Sequence, residues 1–260
     1  MKKYLRVWWT FAINSLQIQL MVRWAVVLFL FGKILRFAIF TFFIVILLTK
    51  TKVFAGYSLN QTLFFYLSFN LIDVLAQLLF REVYRFRPAV VNGTFDFYLI
   101  KPYNALFRAL TSGPDLLDFI TLIPLLGAII YFIGILQIGS FLNIVIYILL
   151  ILAGFLIATA FHILVLSLAI LTTEIDSAVL LYRDITNMGR FPIDIYKEPL
   201  RSFLTFAIPV GIMMTFPTKA LMGVLSSSLI IYSLIFSVAF FYVSILIWRF
   251  SLKHYSSASN

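Results

Sequence analysis

The sequence predicts an all-α integral membrane protein. Hydrophobic residues make up 63% of its 260 residues and charged residues only 12%, which leaves too little polar surface to cover a soluble globule of this size. Apolar segments of about 20 residues recur along the chain, and a helix of that length crosses the hydrocarbon core of a bilayer. The sequence lacks the alternation of polar and apolar residues that marks a transmembrane β-barrel. We therefore expect a bundle of six transmembrane helices.

The first 23 residues predict a helix that lies in the membrane interface. Basic Lys3 and Arg6 alternate with aromatic Trp8 and Trp9 in a pattern typical of interfacial helices. We do not expect a cleaved signal peptide, because polar residues such as Asn14 interrupt its apolar core and no small-residue cleavage site follows.

Five segments are clear candidate spans: residues 24–48, 60–80, 116–136, 141–171 and 229–248. Basic residues cluster before the first span, between the second and third, and after the last, whereas Lys50 and Lys52 oppose this bias between the first two spans. Since Lys and Arg accumulate on the cytoplasmic side, both termini are predicted to be cytoplasmic. The net charge of +10 follows from this bias. Membrane lipid with anionic headgroups suffices as its partner, and we expect no nucleic acid.

The stretch from Glu198 to Gly223 is nearly long enough to cross a membrane but contains three prolines. Hydropathy alone makes 202–223 the missing sixth span. Alternatively, Pro209 and Pro217 divide the stretch into two short helices that enter the membrane and return, because proline breaks or kinks a helix. A segment that breaks at membrane depth must be sheltered by other protein.

The predicted cytoplasmic loop, residues 81–113, is too long for a simple connection. It contains an Asn-Gly turn signal at Asn92 and predicts a short amphipathic helix that Pro102 starts and Gly113 stops. One face of this helix carries four apolar or aromatic side chains at helical spacing, whereas Lys101 and Arg108 stay polar. These four are Tyr103, Leu106, Phe107 and Leu110. The face packs either on the chain's own membrane domain or on a partner.

Two stretches resemble the permease subunits of bacterial ATP-binding cassette (ABC) exporters of the second type. They are "NGTFDFYLIKPYNALFRAL" in the loop and the later "GRFPIDIYKEPLRSFLTFAIPVGIMMTFPTKALMG", which matches the branch with an FPIDIY…IPV…FP…AL signature. The resemblance implies a bacterial inner-membrane location and an interfacial N-terminal elbow helix. It also implies a dimer with itself or a sister permease, and a separate cytoplasmic ABC ATPase subunit.

By the same resemblance, residues 102–110 form a coupling helix that seats in a groove of the ATPase. The residues expected to make this contact are Pro102, Tyr103, Leu106, Phe107, Arg108 and Leu110. The resemblance also favours a short fifth span at 176–189, an outer turn at 191–196 and a re-entrant hairpin at 199–223.

The sequence contains no phosphate-binding loop of its own, since its one Gly-Lys pair, Gly32-Lys33, is followed by Ile34 within an apolar helix. ATP and Mg²⁺ are therefore assigned to the partner ATPase, and this chain is expected to bind no cofactor. The absence of cysteine removes thiolate metal sites and thiol nucleophiles. No catalytic or metal site is expected, and the lone His162 is interpreted as a structural hydrogen-bonding residue.

Charged residues inside the predicted spans form a further candidate site. Lys33 and Arg36 share one face of the first span, and Asp73 lies at a similar depth on the second. Because buried charges are costly without a partner, we expect Asp73 to pair with Arg36 or Lys33. A role for this group in handling an anionic substrate is the alternative.

Two functions are consistent with these observations. The first is the permease half of an ATP-driven exporter. The second is a motor-independent channel or ion-coupled transporter, which would need an ion site at mid-membrane depth and internal repeats. The sequence shows neither feature and does not identify the substrate.

Overall fold

The computed structural model describes residues 2–51, 53–111, 113–137, 140–172 and 176–256. Its regular structure is helical, apart from one isolated bridge between Phe54 and Tyr57. The α-helices are α1 (Lys2–Met21), α2 (Arg23–Thr51), α3 (Leu59–Phe80), α4 (Arg87–Val91), α5 (Asp96–Leu99), α6 (Ala105–Leu110), α7 (Leu116–Ile135), α8 (Phe141–Thr172), α9 (Asp176–Asn187), α10 (Leu200–Ser202), α11 (Phe216–Leu221) and α12 (Ser227–Lys253).

Five of these helices are long and apolar enough to cross a membrane, counted over the residues described above: α2, α3, α7, α8 and α12. A bent pair of shorter helices between α9 and α12 would make a sixth if it were one span. The prediction of an all-α integral membrane protein is therefore confirmed.

The long helices form a bundle with α3 at its centre. About 67% of the apolar window of α3 is buried inside the protein, against 6% for α2. Large side chains on α3 and α8, including Phe64, Ile72 and Leu166, are fully enclosed. Helix α2 therefore presents most of its surface to lipid or to a partner.

The bundle has two distinct ends. The described residues between Arg81 and Asp115, with α4, α5 and α6, lie at the end that we call the loop end. The opposite end, with the α2–α3 connection, we call the far end. Tyr255, just after α12, has its ring 5.1 Å from that of Phe95, so α12 finishes at the loop end. Ser58 and Gln61 form a capping box that starts α3 at the far end.

Helix α9 carries the chain back from the loop end to the far end. The ring of Tyr182 lies 4.9 Å from that of His162, in the half of α8 nearer the loop end, whereas the ring of Phe191 lies 5.2 Å from that of Phe54 in the α2–α3 connection. The helix has 12 residues, about 18 Å, which is shorter than a full span. Residues 188–190 continue it as a 3₁₀ turn, close to the boundaries that the sequence suggested for a short fifth span.

The proline-rich segment is bent. Helical residues Leu200–Ala207 and Gly211–Leu221 meet at 82°, and Pro209 lies in the break between them. Pro217, by contrast, does not interrupt the second half: it lies at the start of α11, directly after a π-helical turn at Gly211–Thr215, where the helical hydrogen-bond pattern changes. Of the two predicted breaks, only the one at Pro209 is present.

Both ends of this bent segment lie at the far end. Lys219 Nζ contacts Asp194 just before the segment, and Tyr57 of the α2–α3 connection donates a hydrogen bond to Asp194. Asn143, at the start of α8, donates to the carbonyl oxygen of Leu221. The bend reaches deeper, because a Cβ placed on Gly154 would lie 2.7 Å from the carbonyl oxygen of Met213, about 16 Å along α8 from Asn143.

Candidate functional site

A large cavity of about 780 Å³, lined by both charged and apolar side chains, lies among α2, α3, α7 and α9. Each helix contributes residues at helical spacing, for example Asn70, Asp73 and Gln77 of α3, because residues three, four and seven apart share one helix face. A second cavity of about 360 Å³ adjoins it and shares Arg36 and Asp73. The four helices thus turn their polar faces toward one space inside the membrane domain.

The wall of the larger cavity is strongly basic. Its six basic side chains are Lys33, Arg36, Arg81, Arg85, Arg183 and Arg190. Its two carboxylates are Asp73 and Asp118, which leaves an excess of four positive charges. Charges at this depth are expensive and usually mark a functional site.

The carboxylate that Lys33 contacts is Asp118 of α7, not Asp73 as the sequence suggested. Asp118 also lies 3.6 Å from Arg81 Nη1, and Arg81 Nε lies 2.9 Å from Asp115. Asp115 accepts hydrogen bonds from the backbone N–H groups of Leu117 and Asp118 and so caps α7. Two of the six cations, Lys33 and Arg81, therefore form ion pairs with carboxylates at the start of α7.

Asp73 and Arg36 both line the two cavities. They therefore lie at a similar depth, as the sequence predicts. They are not within ion-pair distance of each other in the part of the chain that the structure describes. Arg36, Arg190, Lys33 and Arg183 all act electrostatically on Asp73. One carboxylate thus faces several cations at a distance.

His162 belongs to a buried hydrogen-bonded chain. Its Nδ1 lies 2.7 Å from the carbonyl oxygen of Ala158, and its Nε2 lies 3.2 Å from Tyr84 Oη. A carbonyl only accepts, so Nδ1 carries the proton and Nε2 accepts from Tyr84, which in turn accepts from Gln77. This is the structural role that the sequence analysis assigned to His162.

The short helix in the loop begins later than the sequence predicted. Helix α6 starts at Ala105, because the side chain of Asn104 caps it by accepting from the N–H groups of Leu106 and Phe107. Pro102 lies in the preceding bend rather than in the helix. The helix ends at Leu110, with Thr111 as its C-cap.

The aromatic face of this loop packs on α1. The ring of Phe107 lies 5.0 Å from that of Tyr4, and the ring of Tyr103 lies 6.4 Å from that of Phe11. The guanidinium of Arg108 lies 4.4 Å from the Phe11 ring centroid. Lys3 Nζ donates to the carbonyl oxygen of Pro102. Four of the predicted coupling residues thus contact the N-terminal helix.

Gly113 makes this close approach possible. Its φ of +127° is a conformation that L side chains rarely adopt, and a Cβ there would lie 2.6 Å from the carbonyl oxygen of Phe11. Gln19 of α1 accepts from the N–H of Leu116 at the start of α7, and Ser15 donates to the carbonyl oxygen of Pro114. Helix α1 is thereby attached to both the loop and α7.

The exposed apolar surface of the loop lies just before α6. Phe97 is 60% exposed, Leu99 43% and Ile100 73%, whereas Leu110 is only 8% exposed. Leu110 was expected to contact a partner, but it packs in the chain's own core because it lies on the inner face of α6. Phe97 and Ile100 belong to the stretch that carries the resemblance, but helical periodicity in residues 102–110 does not include them.

A sequence profile described as "ABC-2 family transporter protein" matches residues 33–259. The match includes the cavity helices, the loop and the bent segment, whereas α1 lies outside it. Comparisons with curated proteins and with solved structures gave no significant match. Because the profile covers most of the chain, the protein belongs to the ABC-2 transporter family, whose members are membrane components without an ATPase domain of their own.

Proposed function

We propose that this chain is the membrane-spanning permease subunit of an ATP-driven ABC exporter. It works as a homodimer or heterodimer in the bacterial inner membrane, with both termini in the cytoplasm, and a separate cytoplasmic ATPase supplies ATP and Mg²⁺ chemistry. Family membership supports the permease role. The lack of a Gly-Lys-Ser or Gly-Lys-Thr loop in the sequence is consistent with a motor on another chain.

The observation that carries the coupling part of the proposal is the exposed apolar edge of the loop. We define the coupling surface as Phe97, Leu99, Ile100, Lys101 and Pro102, all of which are exposed. Large exposed apolar side chains at the loop end suit a protein groove, and aromatic or aliphatic anchors usually dominate such interfaces. Lys101 supplies a charge at the rim.

The remaining predicted coupling residues take a supporting role in this proposal. Tyr103, Phe107 and Arg108 connect the coupling surface to α1 through the ring and cation contacts described above. Leu106 is half-buried beside them. A movement of the ATPase would therefore reach α1, and through Gln19 the start of α7, without passing through a flexible link.

The test is capture of the cognate ATPase by the purified permease. The double change Phe97→Ala, Ile100→Ala should weaken association by about 2 kcal/mol or more, about thirtyfold in the dissociation constant. The matched control is Val53→Ala, Val224→Ala, which truncates two exposed apolar residues at the far end and should leave capture unchanged. Equal capture by both double variants would refute the coupling surface.

We also propose that residues 199–223 enter the membrane from the outer face and return to it. The contacts of Asp194 with Tyr57 and of Leu221 with Asn143, both at the far end, support this reading. The chain has no cysteine, so single cysteines give no background. Cysteine at the exposed Lys197 should react with an impermeant reagent from outside intact cells, and cysteine at Thr94 only after the cytoplasmic face is opened. Labelling of Lys197→Cys only from the cytoplasmic side would restore a plain span.

A further inference from the structure

The basic cavity has more positive charge than the protein neutralises. Two of its six cations, Lys33 and Arg81, contact carboxylates at the start of α7. The other four form no ion pair within the described part of the chain, and Arg190 instead lies over the rings of Phe40 and Phe69. Arg85 is exposed at the loop end and acts electrostatically on Glu82, whereas Arg36, Arg183 and Arg190 have only Asp73 among them in the described cavity wall. Such an excess of cations is costly at membrane depth, so an anion from elsewhere would stabilise this arrangement.

A second copy of the chain does not supply that anion. The chain carries 20 Lys and Arg residues against 10 Asp and Glu residues, so a homodimer would bring the same excess of positive charge. Within the described residues, the Asp194 carboxylate is occupied by Lys219, Arg201 and Tyr57 at the far end. A ligand is then the simplest source of the missing negative charge, because an added homodimer copy is itself basic and Asp194 is occupied.

The cations form a path from the loop end to the middle of the membrane domain. Arg85 is exposed at the loop end, and Arg36 lies about 20 Å beyond the start of α2 at Arg23. Arg183 and Arg190 are about 10 Å apart along α9 and its following turn. Successive sites of one sign would let an anionic group move inward while remaining paired.

The cavity also has an apolar wall and the size of a ligand pocket. Phe37, Val74, Leu125 and Val179 line it beside the cations. The volume of the cavity, about 780 Å³, falls in the range of small-molecule sites. The apolar residues and the cations line the same space. Five of the six cations are arginines, whose planar guanidinium groups match phosphate oxygens in pairs. An amphiphile with an anionic phosphate end fits both walls.

We propose that this cavity binds the phosphate-bearing anionic headgroup of an amphiphilic molecule, with the cations on the headgroup and the apolar wall along its hydrocarbon part. The binding itself needs only this chain. That the amphiphile is the exporter's cargo rests on the proposed function.

The test measures how many lipids the purified full-length permease retains in detergent, by native mass spectrometry, after addition of phosphatidic acid or of phosphatidylcholine. The wild type should retain phosphatidic acid preferentially. Arg36→Gln, Arg183→Gln removes two cavity cations and should weaken that retention at least about tenfold. Arg249→Gln, Lys253→Gln removes two exposed cations at the end of α12 and should change it less than about twofold. Equal losses in the two double variants would reduce the effect to surface charge and overturn the proposal.

A variant that is expected to increase the retention of phosphatidic acid provides a second test. Asp73→Asn removes the carboxylate that faces the same cations, and it should strengthen retention of phosphatidic acid by about threefold. A purely structural effect would weaken retention instead, which would contradict the proposal. Circular dichroism of each variant checks that the helical content is unchanged.

Competition with inorganic phosphate tests whether the ligand is an amphiphile or free phosphate. If it does not displace phosphatidic acid at about tenfold molar excess, the apolar wall contributes and the ligand is an amphiphile, as proposed. Displacement at that excess would indicate a free phosphate site and overturn the amphiphile assignment. A permease that captures its ATPase normally but shows no anionic preference would overturn this inference while leaving the proposed function intact.

Discussion

The basic cavity and the far-end cluster around Asp194 use charge in opposite ways. In the far-end cluster, one carboxylate meets Lys219 at 3.1 Å and Arg201 at 3.2 Å, and it accepts a hydrogen bond from Tyr57 at 2.9 Å. In the cavity, three arginines that form no ion pair within the described residues, Arg36, Arg183 and Arg190, act on one unpaired carboxylate, Asp73, at longer distance. Paired charges hold segments together, whereas unpaired ones remain free to meet a ligand.

The far-end cluster joins three separate parts of the chain. Tyr57 comes from the α2–α3 connection, Asp194 from the turn after α9 and Lys219 from α11. Burial and the hydrogen bond to Asp194 raise the pKa of Tyr57 above its ordinary value of 10.0. A raised pKa keeps the hydroxyl protonated throughout the physiological range, so the bond contributes fully below pH 10 and is lost only as the pH rises beyond it.

The largest expected effect comes from the paired carboxylate in the cavity wall. Asp118→Ala leaves Lys33 without its carboxylate partner, while Arg81 keeps Asp115 at 2.9 Å, and it should lower the free energy of unfolding by about 3 kcal/mol. Adding Lys33→Met should recover about half of that loss, because the two residues interact directly. Asp73→Asn should cost less than half as much as Asp118→Ala. Denaturant titration in mixed micelles measures all three, and a larger cost for Asp73→Asn would restore the pairing that the sequence suggested.

A smaller loss is expected at the far end. Asp194→Ala should cost about 2 kcal/mol, because Lys219 and Arg201 lose their common partner but keep some access to solvent. Asp184→Asn, an exposed acidic residue on α9, is the matched control and should change little. If the same titration gave both variants the same stability, the Asp194 cluster would not hold the three segments together.

The smallest expected effect concerns a cavity arginine that forms no ion pair within the described residues. Arg183→Gln removes an exposed cavity cation that forms no ion pair within the described residues, so the free energy of unfolding should stay within about 0.5 kcal/mol of the wild type. A loss above about 1.5 kcal/mol would mean that this arginine is structural and that the contrast between the two regions does not hold.

Composition and periodicity were enough to predict the helical membrane fold, the five long spans and the break at Pro209. Each of these depends on residues close together in the chain: a run of apolar side chains, or a proline that removes one helical hydrogen bond. The presence of a short helix in the loop could also be predicted, because turn residues and an amphipathic pattern are local features.

Only the tertiary structure decided which faces meet. Periodicity predicts that Lys33 and Arg36 share a face of α2, but not that Asp118, far along the chain, lies opposite Lys33 instead of Asp73. The same holds for Tyr103 and Phe107, whose apolar face could meet a partner or the chain itself; in the structure it meets α1. Hydrophobic burial is non-directional, so a sequence pattern tells which side of a helix is covered, while packing among all the helices selects the neighbour that covers it.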